Sequence, residues 1–149
     1  MAAEARMSDA QIRVRAAYRE ADRIAHLHMP YVFGGGHDST FTPSGSPVPG
    51  YDCSGFASRV FHQAGILGVP HVWFPFDTVA FEKWGDPGEG EWLTLWVVNS
   101  PSQEHCFLDF RLHDSKYPEQ YAQAAHPGTI VGWMSADTKG FEPRHWVGT

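Results

Sequence analysis

An α+β fold with an antiparallel sheet follows from the order of hydrophobic periods along the chain. Stretches of helical spacing lead, and segments of period two, rich in aromatic and branched residues, follow. At 149 residues the chain has the size of one domain able to bury its own core. Gly 15 and Pro 11 exceed average usage and imply many turns and irregular loops. No repeat, low-complexity tract or linker interrupts it. Residues 1–149 therefore read as one domain, an N-terminal helix over 1–29 and a core over 30–149.

Taken in order, Ser8 and Gln11 form a capping-box pair. Ile12, Ala16, Ala17, Ala21, Ile24, Ala25 and Leu27 then recur at helical spacing to about His28, and Pro30 ends the helix. A short apolar segment meets Gly34, Gly35 and Gly36, which allow close backbone approach or positive φ. Residues 38–50, mostly Ser, Thr, Pro and Gly, read as a loop. A second helix opens at Cys53: Phe56, Ala57, Val60, Phe61 and Ala64 make one buried stripe, Asp52 is a suitable N-cap and Gly65 a suitable stop. Residues 66–75 read as short and extended, Asp77 caps a helical turn through Trp84, and 85–91 is a turn-rich loop.

Residues 92–98 and 105–112 have strand character. In the second, Cys106, Leu108, Phe110 and Leu112 share one face and His105, Phe107, Asp109 and Arg111 the other. Cys106 is thus expected to be an inert core thiol, turned away from His105 and not bonded to Cys53. Residues 119–124, 129–134 and 140–147 are the remaining strand candidates.

A net charge of -6 and a pI near 5.8 argue against nucleic acid or an anionic membrane as partner, since both need a basic face. Two cysteines exclude a disulfide scaffold. The N-terminus lacks an apolar core of signal-peptide length and no later run reaches transmembrane length, so the expectation is synthesis in the cytoplasm without secretory export. Nine histidines invite a zinc reading, notably His26 with His28, His37-Asp38 and His113-Asp114. Yet two-apart residues diverge on a helix and no H-E-x-x-H run exists, so no metal or other cofactor is expected.

Cys53 sits where unpaired N–H groups and the positive end of a helix dipole converge, which favours a thiolate nucleophile. The competing reading is a small buried hydrophobe. A thiol needs a base beside it, and His105 is suited to the work because imidazole exchanges protons near neutrality. It also reads as an ordinary strand-end histidine.

Pro30-Tyr31 followed by Gly34-Gly35, then Asp52-Cys53-Ser54-Gly55 opening a helix, then His105 opening a strand, resemble the NlpC-type cell-wall peptidases, papain-like cysteine peptidases of bacteria and their phages. The likeness runs from Pro30 to Trp146. The Trp84-Gly85…Pro87-Gly88 turn and Gly140-Phe141-Glu142-Pro143-Arg144-His145 are similar to an actinobacterial and phage subgroup. The resemblance implies a papain-like arrangement, with the nucleophile's helix packed on an antiparallel sheet. It implies Cys53 as nucleophile, His105 as base and a polar residue on the next strand to orient the imidazole. That residue is Gln123, accepting from Nδ1–H, with His126 as the alternative. Tyr31 corresponds to a tyrosine beside the nucleophile that helps hold substrate or oxyanion, although a half-buried aromatic is an equal reading. Ser54 would act through its backbone N–H, with that of Cys53, at an oxyanion.

The implied activity is hydrolysis of a peptidoglycan stem-peptide amide, between γ-linked D-glutamate and the following diamino acid. Lacking an export signal or a wall-anchoring domain, the chain is expected to be a phage lysin or a lytic protein of the phage tail, acting at the cell wall. Partners would be peptidoglycan and other tail proteins. An amidase cutting between the sugar acid and the first alanine, and a non-catalytic tail docking module, are the rival readings.

Overall fold

The computed structural model describes residues 7–37, 50–67 and 75–147. Among these, three helices pack on one six-stranded sheet in which every strand pairing is antiparallel. The expected loop over 38–50 and the extended run over 66–75 lie mostly outside the described residues.

Helix α1 (Asp9–Ala25) starts with the expected reciprocal cap: Gln11 N–H donates to Ser8 Oγ at 3.1 Å and Ser8 N–H to Gln11 Oε1 at 2.8 Å. Its buried stripe is Val14, Ala17, Tyr18, Ala21 and Ile24, whereas Ile12 and Leu27, expected inward, are 49% and 47% exposed. Tyr18 displaces the stripe. Its ring meets Phe110 and Tyr117 edge to face and lies tilted against Trp133 while its hydroxyl accepts from Glu119 N–H, so an apolar body and a polar tip are both satisfied.

Helix α2 (Cys53–Gln63) was expected to bury one stripe, but it is buried all round from Cys53 through Phe61. It lies between α1 and the sheet, so its polar residues need internal partners. Ser58 exchanges hydrogen bonds with the backbone of Phe76, and Arg59 pairs with Glu20 of α1 at 3.4 Å. Glu20 is shared with Arg23. Breaking such a pair would leave a buried charge, at a cost of roughly 3–5 kcal/mol. Gly65 closes the helix at φ +71, where glycine carries no Cβ penalty. Helix α3 (Thr78–Phe81) is capped by Asp77 on Ala80 N–H and is shorter than the expected turn through Trp84.

The sheet order is β1-β6-β2-β3-β4-β5, with β1 Asp86–Pro87, β2 Leu93–Ser100, β3 Gln103–Phe110, β4 Tyr121–Gln123, β5 Gly132–Trp133 and β6 Glu142–His145. Strand β1 falls in a segment expected to be loop; it forms by pairing with β6, a partner distant in sequence. The hairpin β2–β3 is the centre, in the register Leu93↔Phe110 to Ser100↔Gln103. Strand β3 starts two residues before His105 and stops before Leu112, because the turn at 101–102 sets its start. Both of its faces are covered. Leu108 and Phe110 belong to the core shared with the helices; Phe107 packs on Tyr121 and Phe141, and buried Asp109 accepts from Trp96, Gln120 and Arg111. Among the described residues no helix is long and apolar enough to cross a membrane.

Candidate active site

The glycines bring the segment before α2 against the helix start. Val32 N–H donates to Tyr51 O at 3.1 Å and Asp52 N–H to Gly35 O at 3.0 Å. A Cβ on Gly55 would stand 2.1 Å from Gly35 O, so only glycine permits this approach. Asp52 caps α2 through Gly55 N–H at 2.7 Å. These contacts fix Cys53 as the first helical residue, its side chain directed at β3. Strand β4 covers β3 only opposite Leu108 and Asp109, which leaves the edge of β3 free beside Cys106. The Cys53 sulfur fills that place: it accepts from the Cys106 thiol and backbone N–H and meets the His105 imidazole.

The electrostatics follow from those contacts. The Cys106 hydrogen bond, opposed by burial and reinforced by His105, brings the Cys53 thiol down to about 5. Burial pulls His105 down, but the bonds to Cys53 and Gln123 and the thiolate charge outweigh it, and the imidazole is raised above its ordinary value. A thiolate–imidazolium pair is the favoured state between the two. Burial, together with the charge on Cys53, pushes the Cys106 thiol well up, so it stays protonated and donates.

Gln123 is oriented from behind. Its amide Nε2 donates to Ser135 O at 3.0 Å, which turns Oε1 toward His105 Nε2 at 2.7 Å. The imidazole therefore carries hydrogen on Nε2 and presents Nδ1 to the sulfur. This corrects the expectation that Gln123 would accept from Nδ1–H. The register explains the contact: with Leu108 opposite Ala122, Gln123 lies diagonal to His105 on the same face of the sheet. His126 is not at this position; it is exposed, with Nδ1 at 2.9 Å from Pro127 O.

Tyr31 stands beside the thiol. Burial, then the negative charges of Cys53 and Asp52, raise its hydroxyl pKa. Ser54 is buried, and its Oγ bonds His37 Nε2 at 3.1 Å. His37 is the neighbour that sequence reasoning missed, having weighed it only as a zinc ligand. Its Nε2 lies 2.8 Å from Asp52 Oδ1, and that bond raises its pKa against the opposing effect of burial. The signal available was its place directly after three glycines. Cys106 is the expected core thiol, fully buried and not bonded to Cys53, since both cysteines are free; what the sequence did not show is that its thiol also touches the Cys53 sulfur.

Of the histidines weighed as ligands, His26 bonds Asp22 O at 2.7 Å, and among the described residues no three His, Cys, Asp or Glu side chains converge as metal ligands would. Beyond the imidazole lies an open groove of about 380 Å³, bordered by His105, Gln123, Glu104, His126, Asp137 and Phe141. Compared with protein-family models and with curated proteins, the chain matches none.

Proposed function

We propose that the chain is a papain-like cysteine hydrolase of peptidoglycan stem peptides, acting at the D-γ-glutamyl–diamino acid bond. The observation that carries this reading is the line Cys53–His105–Gln123–Ser135, a lowered thiol against an imidazole whose tautomer is set from behind. The choice of peptidoglycan rests on the sequence resemblance.

The chemistry is an acyl transfer in two halves. The Cys53 thiolate adds to the amide carbon, and the oxygen gains the negative charge. The backbone N–H groups of Cys53 and Ser54, which open α2 and lack helical acceptors, and the Tyr31 hydroxyl are suited to hold that charge. The His105 imidazolium then gives its Nδ1 proton to the leaving nitrogen as the C–N bond breaks, releasing an amine and leaving a thioester on Cys53. Neutral His105 next takes a proton from water, whose oxygen attacks the thioester. Collapse releases the acid and restores the thiolate–imidazolium pair. Gln123 keeps Nδ1 aimed throughout.

Purified cell walls digested by the wild type and by Cys53→Ala, with soluble fragments read by mass spectrometry, test the reading. Fragments ending in D-glutamate, released by the wild type alone, are expected. Equal release by both proteins would remove the hydrolase reading, and a new alanine amine with an intact glutamyl bond would replace the assigned bond.

A further inference from the structure

Asp52 has two effects that pull against each other. As the N-cap of α2 it accepts from Gly55 N–H at 2.7 Å, yet its carboxylate stands one residue from the sulfur that must carry a negative charge. After burial and the charge on Cys53, the Asp52 charge adds to what keeps the Tyr31 hydroxyl and the Cys106 thiol protonated, so its field reaches the groups beside that sulfur. We propose that His37 is a positioning residue and the counter-ion of the Asp52 carboxylate, which keeps the cap's charge from opposing the Cys53 thiolate. The use of that thiolate in acyl transfer rests on the hydrolase reading above; the effect on the sulfur is readable without any substrate.

Geometry carries the assignment. Gly36, at φ +84, lies so close to the helix start that a Cβ would meet Gly55 Cα at 3.0 Å, and this brings the next residue over the first turn. His37 Nε2 is then 2.8 Å from Asp52 Oδ1 and 3.1 Å from Ser54 Oγ, and the Ser54 hydroxyl donates to the same Oδ1 at 3.4 Å. With Gly55 N–H, three donors converge on one carboxylate oxygen. Only the imidazole can bring a full charge to it.

The surroundings keep that charge in place. The bond to Asp52 leads in favouring the imidazolium and burial opposes it; the charges that face the ring, Asp52 and Cys53 at the start of α2 and Asp77 at the cap of α3, are all negative. The Asp52 side chain is 15% exposed and Ser54 is buried, so water screens the pair weakly. A neutral donor at position 37 would keep the cap and leave its charge uncompensated.

Alkylation of Cys53 by iodoacetamide against pH, on variants shown to be folded by circular dichroism, tests this. His37→Gln keeps a side-chain donor without the charge and should move the Cys53 titration up from about 5 by roughly half to one pH unit, less than a directly adjacent charge gives. Asp52→Asn keeps the cap's acceptor and should move it down, because an imidazole even at its ordinary value of about 6.5 is charged there. Asp52→Asn/His37→Gln removes both charges and should return it close to the wild type. An unmoved titration in His37→Gln overturns the counter-ion, and so does a double variant that stays as high as His37→Gln, since a packing defect would not be cured by removing a charge. Should His37→Gln fail to fold, Asp52→Asn decides alone: a titration unmoved or raised overturns the proposal. On L-alanyl-γ-D-glutamyl-lysine and its diaminopimelate counterpart, the ratio of wild-type to His37→Gln kcat/KM should be largest near pH 6 and fall toward one as pH rises through the raised His37 value. A ratio that grows with pH contradicts the proposal. Failure of the wild type to hydrolyse either peptide removes the hydrolase reading, and the alkylation result then decides the counter-ion by itself.

Discussion

The amide oxygen of Gln123 lies 2.7 Å from Nε2 of His105, and the same amide donates to the Ser135 carbonyl at 3.0 Å. One side chain thereby decides which imidazole nitrogen faces Cys53. Because a glutamine amide can rotate, the second bond matters as much as the first: it removes the orientation in which nitrogen would face the ring.

Gln123→Ala should then lower kcat on stem-peptide substrates by about 10²-fold, the scale of a mispositioned catalytic group, with a smaller change in KM. Gln123→Asn shortens the arm and should recover little of it. Steady-state kinetics on the alanyl-γ-glutamyl peptides check this, and an unchanged kcat in Gln123→Ala would mean that the imidazole needs no such support.

Cys106 touches the sulfur that does the chemistry, and its own thiol is held protonated by burial. Cys106→Ala removes the donor, so the Cys53 thiol should titrate at higher pH than in the wild type. Cys106→Ser keeps a donor and should stay nearer to it. The variant also leaves a small cavity, costing roughly 1 kcal/mol in urea unfolding. An unmoved thiol titration in Cys106→Ala would show that the contact carries no charge stabilisation.

His37 gives a pH signature in stability. Its folded pKa is raised, first by the bond to Asp52, so the folded state binds the proton more tightly than the unfolded chain. That contribution is fully present below the unfolded imidazole value of about 6.5 and is lost as pH rises through the raised folded value. The stability difference between wild type and His37→Gln should therefore be largest in mild acid and shrink in mild alkali. Urea unfolding across that range reads it; a difference that grows with pH would contradict the bond's charged character.

What the sequence showed follows the range of the interactions. The Ser8–Gln11 cap and the Asp52 cap are contacts within four residues, and both formed as their local pattern implied. The strand character of 92–98 and 105–112 was legible because the signals that carry it are local, although the turn at 101–102 moved the strand start ahead of His105 and the pairing of the two segments came only with the structure. The choice of Gln123 came from resemblance and register, and the structure brings that residue to the imidazole while leaving His126 in solvent. Non-local facts stayed hidden. Strand β1 exists only through β6; His37 reaches Asp52 from 15 residues away in sequence, a separation that no periodicity encodes; and Cys106 meets Cys53 because β4 ends early, which alternation along β3 alone does not show. Burial of α2 on all sides was likewise invisible, since Ser58 and Arg59 lie off the apolar stripe and their burial depends on Phe76 and Glu20, which are distant in sequence.

The measurement closest to the central claim is the rate of Cys53 alkylation by iodoacetamide as a function of pH, with the modified peptide identified by mass spectrometry. Only the thiolate reacts, so the profile reports its formation. The structure predicts a rise centred near pH 5, with His105→Ala moving it upward. A rise centred near the ordinary thiol value of about 8.5, unmoved by His105→Ala, would contradict the pairing of Cys53 with His105 on which the proposed chemistry rests.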